Sequence, residues 1–505
     1  MSFFRRIAIA AALAVGVTVG ATADTPLPPV RTDAGLIAGF ERDGINRYFD
    51  IPYAAAPVGE NRWRSPQPVV PWKGIRQATA FGPICIQAVN WMKAAQSEDC
   101  LSLNIWAPAK KGKRPYPVMV WIHGGGWIGG SGSGFGPDGG NAYARQDVIL
   151  VSINYRLGIL GFFAHPELTG QSRYYGSGNQ GLLDQIAALE WVQHNIRSFG
   201  GDPNRVTIVG ESAGSSSVIL LNASPLTKGL FRGAIAESGP MDAVFDRVTA
   251  EKKGVDFATA HGGLAALRAT DAATLIRLPW DNPFANVDDF LIPDGVEART
   301  AAQRDGAVPF MLGWNSDEGK DLAPEVLGIT KDFTAADYVP LLKRIMGKDP
   351  PAEFLKDYPG TTDAEARASA ERITTDFMMG MHMWGLATQR NVIGTAPTYV
   401  YYFVHRPAEP LKPCAYGCEA GHGAEIRFAF GQLDQDRRPW SAADRSLEAQ
   451  MVGYWTNFAK TGNPNGVGLP SWPTFNGKND SVMRLGTDDE VKLRGNIPEY
   501  HFTPN

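Results

Sequence analysis

Unbroken apolar runs and segments of helical periodicity alternate along this chain. The runs 118–122, 148–153 and 206–209 contain few polar positions, which is typical of strands buried on both faces of a parallel sheet. Between the second and third runs, apolar residues recur at three- and four-residue steps from Leu182 to Ile196, so this segment is predicted to be a helix. Strands that alternate with helices predict an α/β fold, with a mostly parallel central sheet and helices on both faces.

The pattern elsewhere extends this sheet. Short alternating segments at 36–40 and 47–51 predict an antiparallel start. The other predicted elements are three strands and a late helix, at 233–237, 308–313, 398–404 and 447–460. The segments 240–300 and 320–395 are predicted to be helical insertions. Ligands of such folds bind at the carboxyl ends of the strands, and we expect the insertions to cover that edge.

The first 23 residues have the pattern of a secretory signal peptide. Arg5 and Arg6 precede an apolar run over 7–20, which is followed by Ala21-Thr22-Ala23. The run is too short to span a bilayer comfortably, although a retained membrane anchor is the alternative. We expect cleavage after Ala23, no membrane association afterwards, and a secreted or periplasmic single domain over 24–505.

Composition narrows the class of protein without identifying a substrate. The chain has 505 residues, of which 44% are hydrophobic and 20% are charged, as in ordinary globular proteins. An α/β fold with insertions can form one domain of this length. Because the net charge is −4, there is no basic excess for nucleic acid, and no nucleic-acid partner is expected.

Four cysteines, Cys85, Cys100, Cys414 and Cys418, are present. An even number in an exported chain suggests two disulfides. Three pairings are possible, and proximity along the chain favours Cys85–Cys100 and Cys414–Cys418. The alternative for the second pair is a metal site with His422, which is disfavoured because no second ligand pair accompanies it.

The strongest chemical signal is Gly210-Glu211-Ser212-Ala213-Gly214. An apolar strand precedes it and a helix-compatible segment, 215–221, follows it. On a sharp turn between strand and helix, a serine hydroxyl stands exposed above the sheet, and flanking glycines allow close backbone approach. The context therefore predicts that Ser212 is a nucleophile.

A serine nucleophile needs donors for a developing oxyanion, a base and an acid. His123-Gly124-Gly125-Gly126-Trp127 follows the strand 118–122, so its backbone N–H groups are the predicted donors, together with that of Ala213. A second glycine pattern, 134–139, matches a dinucleotide-binding motif. It does not lie between a strand and a helix, and no cofactor or metal is predicted.

The base and the acid are less well determined by the residues alone. In serine hydrolases whose nucleophile lies on a turn between a strand and a helix, the order along the chain is serine, acid, histidine. His422 lies in a loop after the strand 398–404 and is the first choice for the base. His405 is the second choice, whereas His382 lies in an apolar, helix-like segment. Asp317 and Glu318 both follow the strand 308–313, and composition does not choose between them.

Several motifs together resemble the type-B carboxylesterases, the family that includes the cholinesterases. They occur in order from about residue 50 to 460 and include Ser97-Glu98-Asp99-Cys100-Leu101-Ser102-Leu103-Asn104, Trp121-Ile122-His123-Gly124-Gly125-Gly126, Asn154-Tyr155-Arg156-Leu157-Gly158, Gly178-Asn179-Gln180-Gly181-Leu182-Leu183-Asp184-Gln185, Phe199-Gly200-Gly201-Asp202-Pro203, the Ser212 motif, Lys228-Gly229-Leu230-Phe231, Glu237-Ser238-Gly239, Asp317-Glu318-Gly319 and Gly421-His422-Gly423. The resemblance implies an α/β-hydrolase fold and a serine carboxylester hydrolase.

The resemblance also assigns roles residue by residue. It implies that Ser212, Glu318 and His422 form the triad, and that the oxyanion donors are Gly125, Gly126 and Ala213. Cys85–Cys100 matches the first disulfide of the family. Ser238 matches a serine that supports the acid, and Glu211 places a carboxylate beside the nucleophile.

The substrate is expected to be a small-molecule ester, but its identity is open. Trp127 and Phe135 are predicted walls of the substrate pocket. Trp91 lies roughly where cholinesterases have a tryptophan that binds a cation. One alternative is a specialised ester, such as a feruloyl, polyester, lactone or mycotoxin ester. The alternative of another class is a catalytically silent, cholinesterase-like adhesion module.

Overall fold

The computed structural model describes residues 24–173, 176–239, 244–280, 284–288, 290–292, 308–394, 396–406, 419–435 and 438–486. The predicted signal peptide and the predicted Cys414–Cys418 pair lie outside the described residues. Cys85 and Cys100 form a disulfide, so this predicted pairing is confirmed.

Eleven strands form one central sheet. In chain order they are β1 (Thr25–Pro26), β2 (Phe40–Arg42), β3 (Ile45–Pro52), β4 (Ser102–Pro108), β5 (Tyr116–Ile122), β6 (Ile149–Ile153), β7 (Gly201–Glu211), β8 (Gly233–Glu237), β9 (Phe310–Asn315), β10 (Thr398–Phe403) and β11 (Val482–Leu485). Their spatial order is β1-β2-β3-β4-β6-β5-β7-β8-β9-β10-β11. In this spatial order, each neighbouring pair from β1 as far as β4-β6 is antiparallel. Each pair from β6-β5 to β10-β11 is parallel. The mostly parallel sheet with an antiparallel start is confirmed, but the predicted segment 36–40 is divided: Leu36–Ala38 lies in a separate small sheet, and only the strand from Phe40 joins the central one.

The register of the parallel strands aligns their carboxyl ends. Ile122 at the end of β5 is level with Gly210 of β7, and Glu211 at the end of β7 is level with Glu237 of β8. Glu237 is in turn level with Gly313 of β9. Residues that follow these strands therefore come together at one edge of the sheet, although they are far apart in sequence.

Helices pack around the sheet. The α-helices span Asn141–Arg145, Gly158–Gly161, Pro166–Gln171, Gln180–Asn195, Ala213–Ala223, Arg247–Ala260, Leu264–Ala269, Ala272–Leu275, Glu318–Val326, Ala335–Met346, Ala352–Asp357, Asp363–Ile373, Met381–Ile393, Ile426–Ala429 and Ala442–Thr461. A π-helical segment, Thr374–Gly380, joins two of them. The helix predicted at 182–196 is found at Gln180–Asn195.

Sequence signals also explain where the late helix begins and ends. Ser441 and Asp444 form a capping box at its start, and Gly462 ends it with a φ of +75°, a backbone conformation that favours glycine. The helix Ala442–Thr461 is therefore five residues longer at its start than the periodicity predicts.

Shorter elements complete the described chain. Three small sheets pair Val30–Arg31 with Leu36–Ala38 and Ile75–Gln77, Ile84–Cys85 with Gln96–Ser97, and Val244–Phe245 with Ala285–Asn286. Single 3-10 turns occur at Gly59–Asn61, Ile196–Phe199, Pro225–Thr227, Leu433–Gln435 and Asn479–Ser481. Within the described ranges, no helix combines the length and apolarity needed to cross a membrane.

Candidate active site

Ser212 lies on a sharp turn between β7 and the helix Ala213–Ala223. Its φ is +56° and its ψ is −126°, an uncommon backbone conformation for a residue with a side chain. The flanking glycines are required by close packing: a Cβ on Gly214 would lie 2.1 Å from the Ile122 carbonyl oxygen, and one on Gly210 would lie 2.5 Å from Gly214. The turn thus holds the Ser212 hydroxyl at the carboxyl edge of the sheet.

Residues 124–130, which we call the glycine turn, run beside this serine. A Cβ on Gly124 would lie only 3.0 Å from the Ser212 Cβ. Gly125 and Gly126 have φ values of +100° and +62°. Among the described residues, no acceptor receives a hydrogen bond from the N–H groups of Gly125 and Gly126, so both donors remain available.

His422 joins the serine to a buried carboxylate. Its Nε2 lies 2.9 Å from the Ser212 Oγ, and its Nδ1 lies 2.6 Å from the Glu318 Oε2. The Asp321 carboxylate accepts the backbone N–H of His422 at 3.0 Å, which fixes the loop that carries the ring. The structure therefore brings together the three residues that the resemblance implies form the triad.

Glu318 is fully buried, and hydrogen bonds fix the carboxylate oxygen that does not face His422. Its Oε1 accepts hydrogen bonds from the Ser238 hydroxyl at 2.5 Å and from the Asn315 backbone N–H at 2.8 Å. It is also the first residue of the helix Glu318–Val326, whose amino-terminal end favours negative charge. The remaining oxygen, Oε2, is left to face His422.

The other sequence candidates lie elsewhere. The Asp317 carboxylate pairs with the Arg406 guanidinium at 3.1 Å, and the His405 Nε2 lies 2.5 Å from a carboxylate oxygen of Asp444. His382 lies on the helix Met381–Ile393. Between Asp317 and Glu318, only Glu318 contacts a histidine that also contacts Ser212.

Glu211 adds a second carboxylate near the histidine. It is 6% exposed, and its Oε1 lies 3.3 Å from the His422 Nε2. Burial raises the pKa of Glu211 to about 7. Burial alone would lower the pKa of His422, but the carboxylates of Glu211 and Glu318 outweigh this effect and raise it above its ordinary value.

Two further glutamates, Glu237 and Glu425, are buried near the site. Burial raises the pKa of Glu237 to about 8 and raises that of Glu425 well above its ordinary value. Glu237 accepts the Trp455 indole N–H, and Glu425 accepts the Asn315 side-chain amide. Of the carboxylates around His422, Glu211 and Glu318 therefore raise its pKa more than Glu425 does.

The three predicted pocket residues occupy different environments. Trp127 is 1% exposed, stacks on Phe162 and donates from its indole N–H to the Ser217 hydroxyl. Phe135 is buried against Trp121 and Phe430. Both rings are thus used in interior packing, and Trp127 leaves no surface for a substrate.

Trp91, in contrast, is 52% exposed and lies against the glycine turn. Its ring comes so close to Gly129 that a Cβ there would lie 2.5 Å from it. It remains a predicted contact for the substrate.

Two residues that hold the site together, Asn315 and Gln87, were not predicted from the sequence. The Asn315 backbone supports Glu318, while its side-chain amide donates to the Gly421 carbonyl and to Glu425. Gln87 makes paired hydrogen bonds with Gly130 of the glycine turn. A polar residue at the end of the buried strand β9 was the available signal for Asn315, whereas nothing in the pattern marks Gln87.

Comparison with known proteins gives a consistent result. The profile of the carboxylesterase family matches residues 26–503. The chain is 36% identical to a fumonisin B1 esterase of Sphingopyxis macrogoltabida, over 94% of this chain and 89% of that protein. It is 32% identical to the human cocaine esterase, over 96% of this chain and 93% of the other.

A solved structure of a thermophilic PNB esterase is also similar. Its TM-score is 0.76 at 32% identity, with 91% of this chain and 96% of the other covered. Because the family match extends over nearly the whole chain and the curated relatives are esterases, the chain belongs to the carboxylesterase family, has the α/β-hydrolase fold and is a carboxylic ester hydrolase.

Proposed function

We propose that the protein is an exported serine carboxylester hydrolase that works through an acyl-enzyme, with Ser212, His422 and Glu318 as its triad. One observation carries this proposal: the continuous chain of contacts from the Ser212 Oγ through both ring nitrogens of His422 to Glu318, with distances of 2.9 and 2.6 Å. This arrangement can activate a serine hydroxyl, which is a weak nucleophile without a base.

The proposed reaction has two halves. The Ser212 Oγ attacks the ester carbonyl carbon while the His422 Nε2 takes the hydroxyl proton, and the same proton then passes to the departing alcohol oxygen. A water molecule next gives a proton to the His422 Nε2 as its oxygen attacks the acyl carbon. The bond to the Ser212 Oγ then breaks, the acid is released, and the proton passes from His422 to the Ser212 Oγ. Glu318 keeps the proton on Nδ1 and stabilises the imidazolium in both halves.

The developing oxyanion is proposed to bind to backbone donors. The candidates are Gly125 and Gly126 on one side and Ala213, the first residue of the helix after Ser212, on the other. The free N–H groups of the glycine turn support this assignment. Donors fixed in place before the reaction stabilise charge without reorganisation.

A panel of esters with an active-site probe tests the proposal. We expect a fluorophosphonate to label the protein once, at Ser212, and p-nitrophenyl esters of short acids to be hydrolysed. The panel should vary acyl length and alcohol size, with Ser212→Ala as the inactive control. An unlabelled, inactive protein would favour the catalytically silent adhesion module.

A mycotoxin ester is the second candidate substrate. The fumonisin B1 esterase, which is 36% identical over nearly the whole chain, supports it. Fumonisin B1 therefore belongs in the panel, and a kcat/KM well above that for simple aryl esters would identify a specialised role.

Export and domain organisation are part of the same proposal. The basic start and apolar run of the first 23 residues support a cleaved signal peptide, and the Cys85–Cys100 disulfide is compatible with an oxidising compartment. The segment 24–505 is proposed to be one catalytic domain with insertions near 240–300 and 320–395. No cofactor is required by the proposed chemistry.

The pH dependence of kcat/KM should depend on the carboxylate charge beside His422. A general base must be neutral, so kcat/KM is expected to rise with pH through the pKa of His422 and then level off. Since Glu211 raises that pKa, Glu211→Gln should move the midpoint to lower pH by about 1–2 pH units. The measurement is kcat/KM for a non-ionising aryl ester from pH 5 to 10.

Glu425→Gln is the matched control for this shift. Glu425 is also buried nearby, but it raises the pKa of His422 less than Glu211 does, so the same substitution should move the midpoint much less. A midpoint that stays in place or rises in Glu211→Gln would contradict the assigned effect of Glu211.

A further inference from the structure

The glycine turn, which carries the proposed oxyanion donors, has few internal supports. Gly125 accepts hydrogen bonds from the N–H groups of Ile128 and Gly129, both at 3.0 Å. Gly130 has a φ of +106°, and a Cβ there would lie 2.4 Å from the His123 ring and 2.6 Å from the Gly124 carbonyl oxygen. The end of the turn therefore packs directly behind its beginning, so a shift of Gly130 displaces the donors.

Gln87 fixes this end of the turn from outside. Its side-chain Oε1 accepts the Gly130 N–H at 2.8 Å, and its Nε2 donates to the Gly130 carbonyl at 2.9 Å. Nε2 also donates to the Cys85 carbonyl at 2.9 Å. Gln87 is 4% exposed, so these bonds are shielded from water and their loss leaves buried polar groups unpaired.

The segment that carries Gln87 is itself held in place. The Cys85–Cys100 disulfide closes the loop 86–99, and the Gln87 backbone N–H donates to the Gln96 side chain across that loop at 2.8 Å. Trp91, from the same loop, lies against Gly125 and Gly129. The loop thus contacts the glycine turn at two places, one by hydrogen bonds and one by ring packing.

We infer that Gln87 is a positioning residue for ester hydrolysis, because it holds the Gly125 and Gly126 donors where the oxyanion forms. This inference rests on the proposed function, since it requires the glycine turn to bind the oxyanion. Gln87 touches neither Ser212 nor His422 in the described contacts. Its loss should therefore affect the transition state and leave substrate binding and the triad in place.

Gln87→Met tests the inference because it keeps the length of the side chain and removes all of its hydrogen bonds. Loss of one oxyanion donor lowers kcat by about 10²–10³-fold, so misplacement of donors should lower it by about 10-fold or more, with KM changed less than about twofold. The affinity for a trifluoromethyl ketone, which forms a hemiketal oxyanion with the nucleophile, should fall by the same factor.

Gln77→Met is the matched control. It makes the same substitution on an exposed residue of the strand Ile75–Gln77, whose side chain makes none of the described hydrogen bonds with Gln87 or the glycine turn. We expect its kcat and ketone affinity to stay near those of the wild type. A purely structural role for Gln87 would lower thermal stability without a parallel fall in ketone affinity.

Two outcomes would overturn the inference: an unchanged kcat in Gln87→Met, or a reduced kcat with unchanged ketone affinity. If Gln87→Met does not fold, Gln87→Glu replaces it, because it retains an oxygen toward the Gly130 N–H and removes the donor to the Gly130 carbonyl. Fluorophosphonate labelling of the wild type distinguishes a failure of the proposed function from a failure of the inference about Gln87. Absence of labelling would refute the proposed triad, whereas normal labelling leaves the role of Gln87 to be decided by its variants.

Discussion

Ser212→Ala is expected to lower kcat on an activated aryl ester by about 10⁴- to 10⁶-fold, as removal of the nucleophile does in other serine hydrolases. The substitution removes the atom that attacks the carbonyl, and His422 then has no hydroxyl at 2.9 Å to deprotonate. The folded structure should be little changed, because the backbone N–H and carbonyl of Ser212, which bond to Glu237 and Ser216, remain. The measurement is steady-state turnover together with fluorophosphonate labelling, which should disappear.

Ser215→Ala is the matched control for the nucleophile. Ser215 lies three residues further along, in the helix Ala213–Ala223, is fully buried, and has no hydrogen-bond partner for its hydroxyl among the described residues. The same loss of one oxygen atom should therefore leave kcat within about threefold. Near-normal turnover in a well-folded Ser212→Ala protein would refute the acyl-enzyme mechanism.

The fold was largely predictable because its signals are local. Strands buried on both faces appear as continuous apolar runs, and β8 was predicted with its observed bounds. The Ser212 turn was predictable for the same reason, since strand, glycines and helix are contiguous in sequence. The strand predicted at 308–313 lies instead at Phe310–Asn315, because hydrophobicity alone does not determine where hydrogen bonding to a neighbouring strand begins.

The partners of Ser212 were less predictable from the residues alone. Asp317 and Glu318 are adjacent in sequence. Because the helix begins at Glu318, the Glu318 carboxylate lies in the interior, whereas that of Asp317 pairs with Arg406. Gln87 and Gly130 are 43 positions apart, and the hydrophobic pattern of the sequence does not indicate which distant residues form hydrogen bonds. Trp127 was predicted to be a pocket wall, but its ring packs against Phe162 in the interior.

Glu318→Gln is expected to lower kcat by about 10³- to 10⁴-fold through the wrong tautomer of His422. In the wild type, Oε1 faces two donors, the Ser238 hydroxyl and the Asn315 backbone N–H, and Oε2 faces the His422 Nδ1. The glutamine oxygen must occupy the position between the two donors. Its NH₂ group then faces Nδ1, which has to become an acceptor, so the ring proton moves to Nε2 and the base can no longer accept the Ser212 proton.

The opposite orientation of the glutamine does not restore the site. It would point the NH₂ group at the Asn315 N–H, at the present Oε1 distance of 2.8 Å, and would leave a buried donor unpaired at a cost of about 1–3 kcal/mol. Asp317→Asn is the control, because that carboxylate pairs with Arg406 and its loss should change kcat by less than about threefold. Steady-state kinetics, with thermal unfolding to verify the fold, distinguishes the two carboxylates. A larger loss in Asp317→Asn than in Glu318→Gln would reassign the acid to Asp317.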